Sequence, residues 1–275
     1  AVPGFSLICS LSCVRMYSAT VGALDAPGKI IEPDTTGHPG EIMKAAVITG
    51  ASVGIGRETA RLFAEAGYRV YNLSRRNCPV DGVTNLRCDL SSPESIAAAC
   101  DHLCEALQGA ECIALLHNAS QMRKDSTDDC DCDSLAAVLD TNVVAINRIN
   151  QRLLPLMPSG SSLLYVGSTL SEKAVPGSFS YVVSKHAQLG MMRATCQDLM
   201  GKGVHTALVC PGFTDTEMLR THIGTDPQVE QAIASMNSFN RLIDPCEIAQ
   251  LLFWAHGNPV INGAVLHANL GQKES

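Results

Sequence analysis

A tyrosine and a lysine stand four residues apart in the segment FSYVVSKHAQLG, residues 179–190. Side chains at positions i and i+4 lie on one face of an α-helix, so Tyr181 and Lys185 are neighbours if this segment is helical. A tyrosine whose pKa is near its ordinary value of about 10 is a poor proton carrier at neutral pH. A positive charge nearby lowers that pKa. The pair is therefore either acid–base machinery or an ordinary surface pair, and the remaining sequence has to distinguish the two.

The composition excludes several classes of protein. The chain has 275 residues, of which 46% are hydrophobic and 17% charged, which fits one large α/β domain or two small ones. The net charge is -7 and no stripe of Lys or Arg stands out, so we expect no nucleic-acid partner. No apolar run approaches the roughly 18 residues of a membrane span, so we expect no membrane partner either.

The 12 cysteines indicate a reducing, cytoplasmic compartment. Several lie in apolar segments, where a reduced cysteine packs as a small hydrophobic residue: Cys88, Cys112, Cys196 and Cys210. The segment DDCDCD contains a single C-x-C pair, Cys130 and Cys132, without a second Cys or His pair nearby. This favours an acidic, solvated loop over a metal site, and we expect no metal.

The chain divides into an N-terminal extension and one domain. Residues 1–42 contain a short apolar stretch with no basic residue before it, which is a poor secretory signal. A stretch rich in Gly, Pro, Asp and Thr follows, and Met43 looks like a natural start. We expect 1–42 to be a loosely structured extension. Residues 43–275 show no internal repeat or linker, and we expect a single nucleotide-binding domain there.

Short apolar runs alternate with helical patterns from residue 44 onward. The strand candidates are 45–49, 69–73, 84–88, 112–117, 162–167, 205–210 and 264–268. The helical patterns are at about 56–66, 93–108, 133–157, 179–200, 226–236 and 245–256. Near-continuous hydrophobic strands are typical of a parallel sheet that is covered on both faces. The pattern predicts an α/β fold with a doubly wound parallel sheet of about seven strands.

The first strand runs into TGASVGIG, residues 49–56, with glycines at Gly50, Gly54 and Gly56. A turn without side chains lets the backbone and the N-terminus of the next helix approach a pyrophosphate. The position between the first strand and a helix favours a dinucleotide loop over an ordinary strand–helix turn. Within this loop, the further candidate contacts are Ser52, Val53 and Ile55.

The second strand ends in NLSRR, which supplies Ser74, Arg75 and Arg76. A fold that prefers NAD usually has an acid here for the ribose 2′-hydroxyl, whereas a guanidinium suits a 2′-phosphate. The sequence therefore favours NADP(H), although NAD(H) is possible and a solvated basic loop is the alternative. In the segment RCDL, Asp89 either accepts from the adenine amino group or caps the following helix, and Leu90 is a further candidate cofactor contact.

Together these motifs resemble the short-chain dehydrogenase/reductase family, in its single-domain, Rossmann-like branch of 3-oxoacyl reductases and carbonyl reductases. They occur in family order and cover the chain from 43 to its end: TGASVGIG at 49–56, Asp89, HNAS at 117–120, TNVVAIN at 141–147, Ser168, the Y-x-x-x-K of Tyr181 to Lys185, and PGFTDT at 211–216. The family usually has Gly after Asn118 and Ala119, whereas this chain has Ser120.

The resemblance implies a role for each matching residue. Tyr181 is the general acid in reduction and the base in oxidation. Lys185, with an oxidised nicotinamide, lowers the Tyr181 pKa and also holds the nicotinamide ribose. Ser168 binds the substrate oxygen, and Asn142 helps to hold a water that relays protons to Lys185. The remaining cofactor contacts are implied for Asn118, Ala119, Pro211, Gly212, Thr214 and Thr216.

The implied activity is hydride transfer between NADPH and a small carbonyl or alcohol substrate, such as a ketone, an aldehyde or a 3-oxoacyl group. The segment from Leu219 to Leu242 is implied to cover the substrate. An NAD-dependent alcohol or hydroxysteroid-type dehydrogenase is the nearest alternative, and a non-catalytic nucleotide sensor is the alternative of another class. The resemblance also implies a homodimer or homotetramer, paired through the helices at 133–157 and 179–200.

Overall fold

In the computed structural model, the described residues are 43–224 and 226–273. The extension expected at 1–42 lies outside them. The described residues contain one sheet of seven parallel strands in the order β3-β2-β1-β4-β5-β6-β7. Its strands are β1 (Lys44–Thr49), β2 (Arg69–Ser74), β3 (Val83–Arg87), β4 (Cys112–His117), β5 (Ser162–Val166), β6 (His205–Pro211) and β7 (Val265–Ala268).

The seven predicted strands are confirmed, with ends that differ by at most one residue. They were recognisable because helices cover both faces of the sheet, so that the central strands are buried along their length. The strand order reverses between β1 and β4, which pair in register through Val47 and Leu115. In a doubly wound sheet, ligands bind outside the carboxyl ends of the strands at such a reversal.

Eight α-helices connect the strands in the described part of the chain: α1 (Gly54–Glu65), α2 (Pro93–Ala106), α3 (Cys132–Leu139), α4 (Ala145–Leu153), α5 (Phe179–Asp198), α6 (Glu217–Ile223), α7 (Pro227–Ala234) and α8 (Pro245–His256). The helical region predicted at 133–157 is interrupted by a π-helical turn, Asp140–Val144, between α3 and α4. Helix α6 was not predicted, because its seven residues are too few to show a clear helical period.

Two hydrophobic layers form the core, one on each face of the sheet. Leu115 faces the layer that contains Ile96 of α2, Ile149 of α4 and Leu189 of α5. The next residue of β4, Leu116, points to the opposite layer with residues of α1 and α8, because successive strand side chains alternate between faces. The two layers hold the carboxyl ends of the strands in fixed positions.

Candidate active site

The glycine-rich loop between β1 and α1 is held against the end of β4. Gly50 has a φ of 72°, in the left-handed region that favours glycine. A Cβ on Gly56 would lie 2.3 Å from the Gly50 carbonyl oxygen and 2.5 Å from Asn118 Nδ2. Asn118 Nδ2 in turn donates to the carbonyls of Thr49 and Gly50 at 3.1 and 3.0 Å. The loop therefore depends on glycine for space as well as for backbone conformation.

Two side chains that the sequence did not single out fix this loop. Thr49 Oγ1 accepts hydrogen bonds from the backbone N–H groups of Asn118 and Ala119 at 3.0 and 3.1 Å. Asn72 Oδ1 accepts from the Ala51 N–H at 3.0 Å. Both residues lie in β-strands. The sequence pattern predicted these strand positions but gave no sign that the side chains support a neighbouring loop.

Helix α1 begins without a capping side chain. Val53 precedes it and makes no side-chain hydrogen bond, and the first turn contains no acidic residue. The N–H groups of the first turn therefore remain open to an anion, and the helix dipole favours negative charge at this end. By contrast, the Ser92 side chain caps α2. The loop and the helix start fit the pyrophosphate of a dinucleotide.

The end of β2 carries the cations expected to select the cofactor. Arg75 and Arg76 are both exposed, and Ser74 Oγ lies 3.4 Å from Ser52 Oγ of the glycine-rich loop. Arg76 Nη1 lies 3.1 Å from Glu217 Oε1 of α6. Ser74 therefore lies next to the loop, and Arg76 contacts the helix that follows β6.

Asp89 does not cap the helix that follows, which was one of the two alternatives. Its Oδ1 accepts from the backbone and the hydroxyl of Ser91 at 3.0 and 2.7 Å, and Ser92 caps α2 instead. The Ser91 hydrogen bonds lower the pKa of the Asp89 carboxyl. Leu90 is buried beside it at 9% exposure. The carboxylate stabilises the turn between β3 and α2.

The hydroxyls of Ser168 and Tyr181 meet beyond the end of β5. Ser168 follows β5 by two residues, and its Oγ accepts from the Leu170 N–H at 3.1 Å. The Tyr181 side chain on α5 is 8% exposed. Burial raises the Tyr181 pKa to about 12, and a hydrogen bond with Ser168 opposes that shift. The two hydroxyls can therefore contact one substrate oxygen together.

Lys185 lies one turn further along α5 and is 1% exposed. Its Nζ lies 5.4 Å from the centre of the Tyr181 ring and donates to the Val166 carbonyl at 2.9 Å. Burial lowers the Lys185 pKa to about 7. The expectation that Lys185 and an oxidised nicotinamide together lower the Tyr181 pKa concerns the complex with cofactor and stays a prediction.

Asn142 lies in the π-helical turn and is fully buried. Its side chain is occupied by neighbouring groups: Oδ1 accepts from Gln121 N at 2.7 Å, and Nδ2 donates to Gln121 O at 2.8 Å and to Ser184 Oγ at 2.9 Å. The side chain of Asn142 thus fixes the turn and helix α5. Its contact towards Lys185 runs through the backbone carbonyl, which accepts from Gln188 Nε2 at 2.7 Å.

The start of helix α5 is anchored by Asp125, a residue that the sequence did not single out. The side chain of Ser178, at the capping position, makes no capping hydrogen bond to the first turn. Instead, Asp125 Oδ1 accepts from the Ser180 N–H at 3.0 Å, and Oδ2 accepts from the Ser180 hydroxyl. Because Ser180 immediately precedes Tyr181, this carboxylate fixes the turn that presents the tyrosine.

The segment after β6 closes over the glycine-rich loop. Pro211 ends β6, and a Cβ on Gly212 would lie 3.0 Å from Asn269 Cα. Thr214 Oγ1 donates to the Gly212 carbonyl at 3.0 Å, so its hydroxyl stabilises the turn itself. Thr216 caps α6, and its Cγ2 would lie 3.1 Å from a Cβ on Gly54. The two loops therefore approach each other around the expected cofactor position.

The histidine that precedes Asn118 is part of the core. His117 is buried, and its Nε2 lies 2.8 Å from Asn150 Oδ1. Burial lowers the His117 pKa to about 4. Among the described residues, no group of three or more His, Cys, Asp or Glu side chains could hold a metal ion. None of the helices in the described ranges is long and apolar enough to cross a membrane.

Comparison with known proteins identifies the class to which this fold and site belong. A family profile described as enoyl-(acyl carrier protein) reductase matches residues 50–273. The chain is 28% identical over 240 residues to the 3-oxoacyl-[acyl-carrier-protein] reductase FabG of Vibrio cholerae, covering 83% of this chain and 96% of that protein. It is 25% identical over 234 residues to carbonyl reductase family member 4 of Danio rerio, covering 81% and 95%.

Solved structures show the same fold. The ligand-free aldohexose dehydrogenase of Thermoplasma acidophilum superposes with a TM-score of 0.76 at 23% identity, covering 84% of this chain and 94% of that one. A short-chain dehydrogenase of Burkholderia cenocepacia in complex with NADP superposes with a TM-score of 0.75 at 25% identity, covering 84% and 98%. The chain belongs to the short-chain dehydrogenase/reductase family, whose members act on CH–OH and C=O groups with NAD(P).

Proposed function

We propose that this protein is an NADPH-dependent reductase of a ketone, an aldehyde or a 3-oxoacyl group. The observation that carries the proposal is the hydrogen-bonded pair of Ser168 and Tyr181, with Lys185 one helical turn behind the tyrosine. This group lies at the carboxyl edge of the sheet, the same edge at which the glycine-rich loop follows β1. Two relatives, a 3-oxoacyl reductase and a carbonyl reductase, support the substrate class.

In this proposal, the chain binds the substrate oxygen and supplies a proton to it. Ser168 Oγ donates a hydrogen bond to the carbonyl oxygen, and Tyr181 Oη donates the proton as negative charge develops there. The Lys185 ammonium favours the tyrosinate that this transfer leaves behind. When bound, NADPH supplies the hydride. Because Tyr181 and Lys185 are 8% and 1% exposed, little water competes with them.

The preference for NADP(H) over NAD(H) rests on the end of β2. Ser74 stands where an acid would bind a ribose 2′-hydroxyl, and two exposed guanidiniums follow it at Arg75 and Arg76. A guanidinium binds a phosphate with paired, charge-assisted hydrogen bonds. The Burkholderia cenocepacia structure, a complex with NADP, supports the same preference.

A test of the proposed activity is the oxidation of NADPH, followed by absorbance, with a panel of ketones, aldehydes and 3-oxoacyl thioesters. At least one class should be reduced at a rate proportional to enzyme concentration. The reverse reaction with NADP⁺ and the corresponding alcohol should then yield the same carbonyl. Binding of NADPH without turnover of any carbonyl or alcohol would favour a nucleotide sensor instead.

We also propose that the protein is a homodimer or homotetramer in the cytoplasm. The exposed side chains of α5, among them Arg193 and Gln197, are available to pair this helix with a second copy. Cys88, Cys100 and Cys210 are buried, free thiols, which suits a reducing compartment. Light scattering at micromolar concentration should give at least twice the mass of one chain, and a monomer would contradict the proposed assembly.

A further inference from the structure

Gln188 is a buried amide in direct contact with the candidate catalytic lysine. It lies on α5, three residues after Lys185, and is 1% exposed. Lys185 Nζ donates to Gln188 Oε1 at 3.0 Å, and Gln188 Nε2 donates to the Asn142 carbonyl at 2.7 Å. The amide therefore spans the gap between the lysine and the π-helical turn. No motif of the sequence singled this residue out.

Hydrogen-bond chemistry fixes the orientation of the amide. The Asn142 carbonyl can only accept a hydrogen bond, so it requires the NH₂ end of Gln188. The Lys185 ammonium can only donate, so it requires the oxygen end. A flipped amide would place two donors together at one end and two acceptors together at the other. The oxygen of Gln188 is thus held towards Lys185 by the turn that contains Asn142.

The groups around the Lys185 amino group are neutral, so neutral hydrogen-bond acceptors determine how readily it keeps its proton. The titratable groups that face it are Tyr181 on its own helix and Cys210 on β6. Burial raises the pKa of both, so both are neutral at pH 7. No carboxylate forms an ion pair with Lys185 in the described part of the chain. The oxygens of Val166 and Gln188 are its hydrogen-bond acceptors there.

We propose that Gln188 is a positioning residue that fixes the Lys185 amino group and sets its proton affinity through the bridge to Asn142. The proposal rests on the proposed function, since Lys185 acts on Tyr181 there. An amide does not relay protons, so Gln188 acts by holding the Lys185 amino group at a fixed position relative to the π-helical turn. A hydrogen bond to an ammonium favours its charged form. Gln188 thereby keeps a larger share of Lys185 charged at neutral pH.

The direct test is the pKa of Lys185 in the full chain without cofactor or substrate. Lysine labelled with ¹³C at Cε reports protonation through its chemical shift during a pH titration, and loss of the signal in Lys185→Arg identifies it. Gln188→Met, of similar volume, removes the acceptor and should lower the Lys185 pKa by about one unit. Gln188→Glu adds a negative charge and should raise that pKa by at least a similar amount.

The control is Gln250→Glu, which makes the same chemical change on the exposed face of α8. It should leave the Lys185 pKa unchanged. Opposite shifts in the two Gln188 variants support the proposal. Equal pKa values in all variants, or shifts of one sign, would overturn it, because a purely structural amide has no reason to move the pKa in both directions. If Gln188→Met does not fold, as judged by circular dichroism, Gln188→Leu takes its place and has to show the same downward shift of the Lys185 pKa.

Activity provides a second readout. From a pKa of about 7, a drop of one unit reduces the charged fraction of Lys185 at pH 7 by about fivefold. The kcat of Gln188→Met at pH 7 should fall by a similar factor and recover towards pH 6, whereas Gln188→Glu should hold its kcat to higher pH. Shifted pKa values without any turnover in the wild type would refute the proposed function and leave the bridge intact. Turnover in the wild type with the same Lys185 pKa in all variants would support the proposed function and refute the role of Gln188.

Discussion

Replacing Tyr181 by Phe removes one hydroxyl from the centre of the candidate site. Loss of a positioned general acid typically costs 10²- to 10⁴-fold in rate, which corresponds to a barrier increase of about 3–5 kcal/mol. Tyr181 is only 8% exposed, so a solvent water has little room to replace it, and we expect the upper part of that range. The fold should tolerate the change, because Ser168 Oγ keeps its hydrogen bond from the Leu170 N–H at 3.1 Å.

Tyr165 provides a matched control for the same chemical change. It is fully buried, and its hydroxyl lies 3.2 Å from Asn150 Nδ2 and 3.3 Å from Thr195 Oγ1. In Tyr165→Phe, Asn150 Nδ2 loses a partner in the core, which should cost about 1–3 kcal/mol of unfolding free energy. The kcat should change little, because Tyr165 contacts none of the proposed reacting groups.

The assay compares kcat for carbonyl reduction, the Kd for NADPH, and unfolding by urea in both variants. We expect Tyr181→Phe to be stable and to bind NADPH, with turnover almost lost. We expect Tyr165→Phe to be less stable and active. Retained turnover in Tyr181→Phe would refute the acid–base role. Equal losses of turnover in both variants would show that the loss is not specific to the hydroxyl of Tyr181.

Two further predictions concern the loop and the buried histidine. Gly56→Ala should weaken NADPH binding at least tenfold, because its Cβ would lie 2.3 Å from the Gly50 carbonyl; fluorescence titration measures the Kd, and wild-type affinity would contradict the role of the loop. Burial lowers the His117 pKa to about 4 from an ordinary value of about 6.5, so the unfolded chain takes up a proton that the folded chain does not. The unfolding free energy should therefore be highest above pH 6.5 and fall towards pH 4. His117→Leu should reduce the loss between pH 7 and pH 5 by about 2 kcal/mol in urea titrations, and an unchanged loss would contradict this.

The sheet and the order of its elements could be predicted from the sequence because the strands are buried on both faces and appear as continuous apolar runs. The glycine-rich loop could be predicted for a similar reason, since the requirement for glycine is local. The contact between Tyr181 and Lys185 could be predicted because it depends only on the period of one helix. Each of these signals lies within a short segment of the chain.

The supporting residues could not be predicted, because their partners are distant in sequence. Thr49 meets Asn118, and Asp125 meets Ser180, through contacts that only the folded sheet creates. Gln188 occupies an ordinary helical position, and its function depends on a carbonyl in the π-helical turn. The upward shift of the Tyr181 pKa in the chain without cofactor could not be predicted either, because burial is a property of the whole fold and not of the Tyr–Lys spacing.

The central claim, an NADPH-dependent reductase, is tested most directly by fluorescence titration with NADPH and NADH in the absence of substrate. We expect NADPH to bind at least about tenfold more tightly, since the exposed Arg75 and Arg76 offer charge-assisted bonds to the 2′-phosphate. The double variant Arg75→Ala/Arg76→Ala should lose that difference, and Arg69→Ala, at an exposed arginine at the start of β2, should keep it. Equal binding of the two nucleotides, or tighter binding of NADH, would contradict the account.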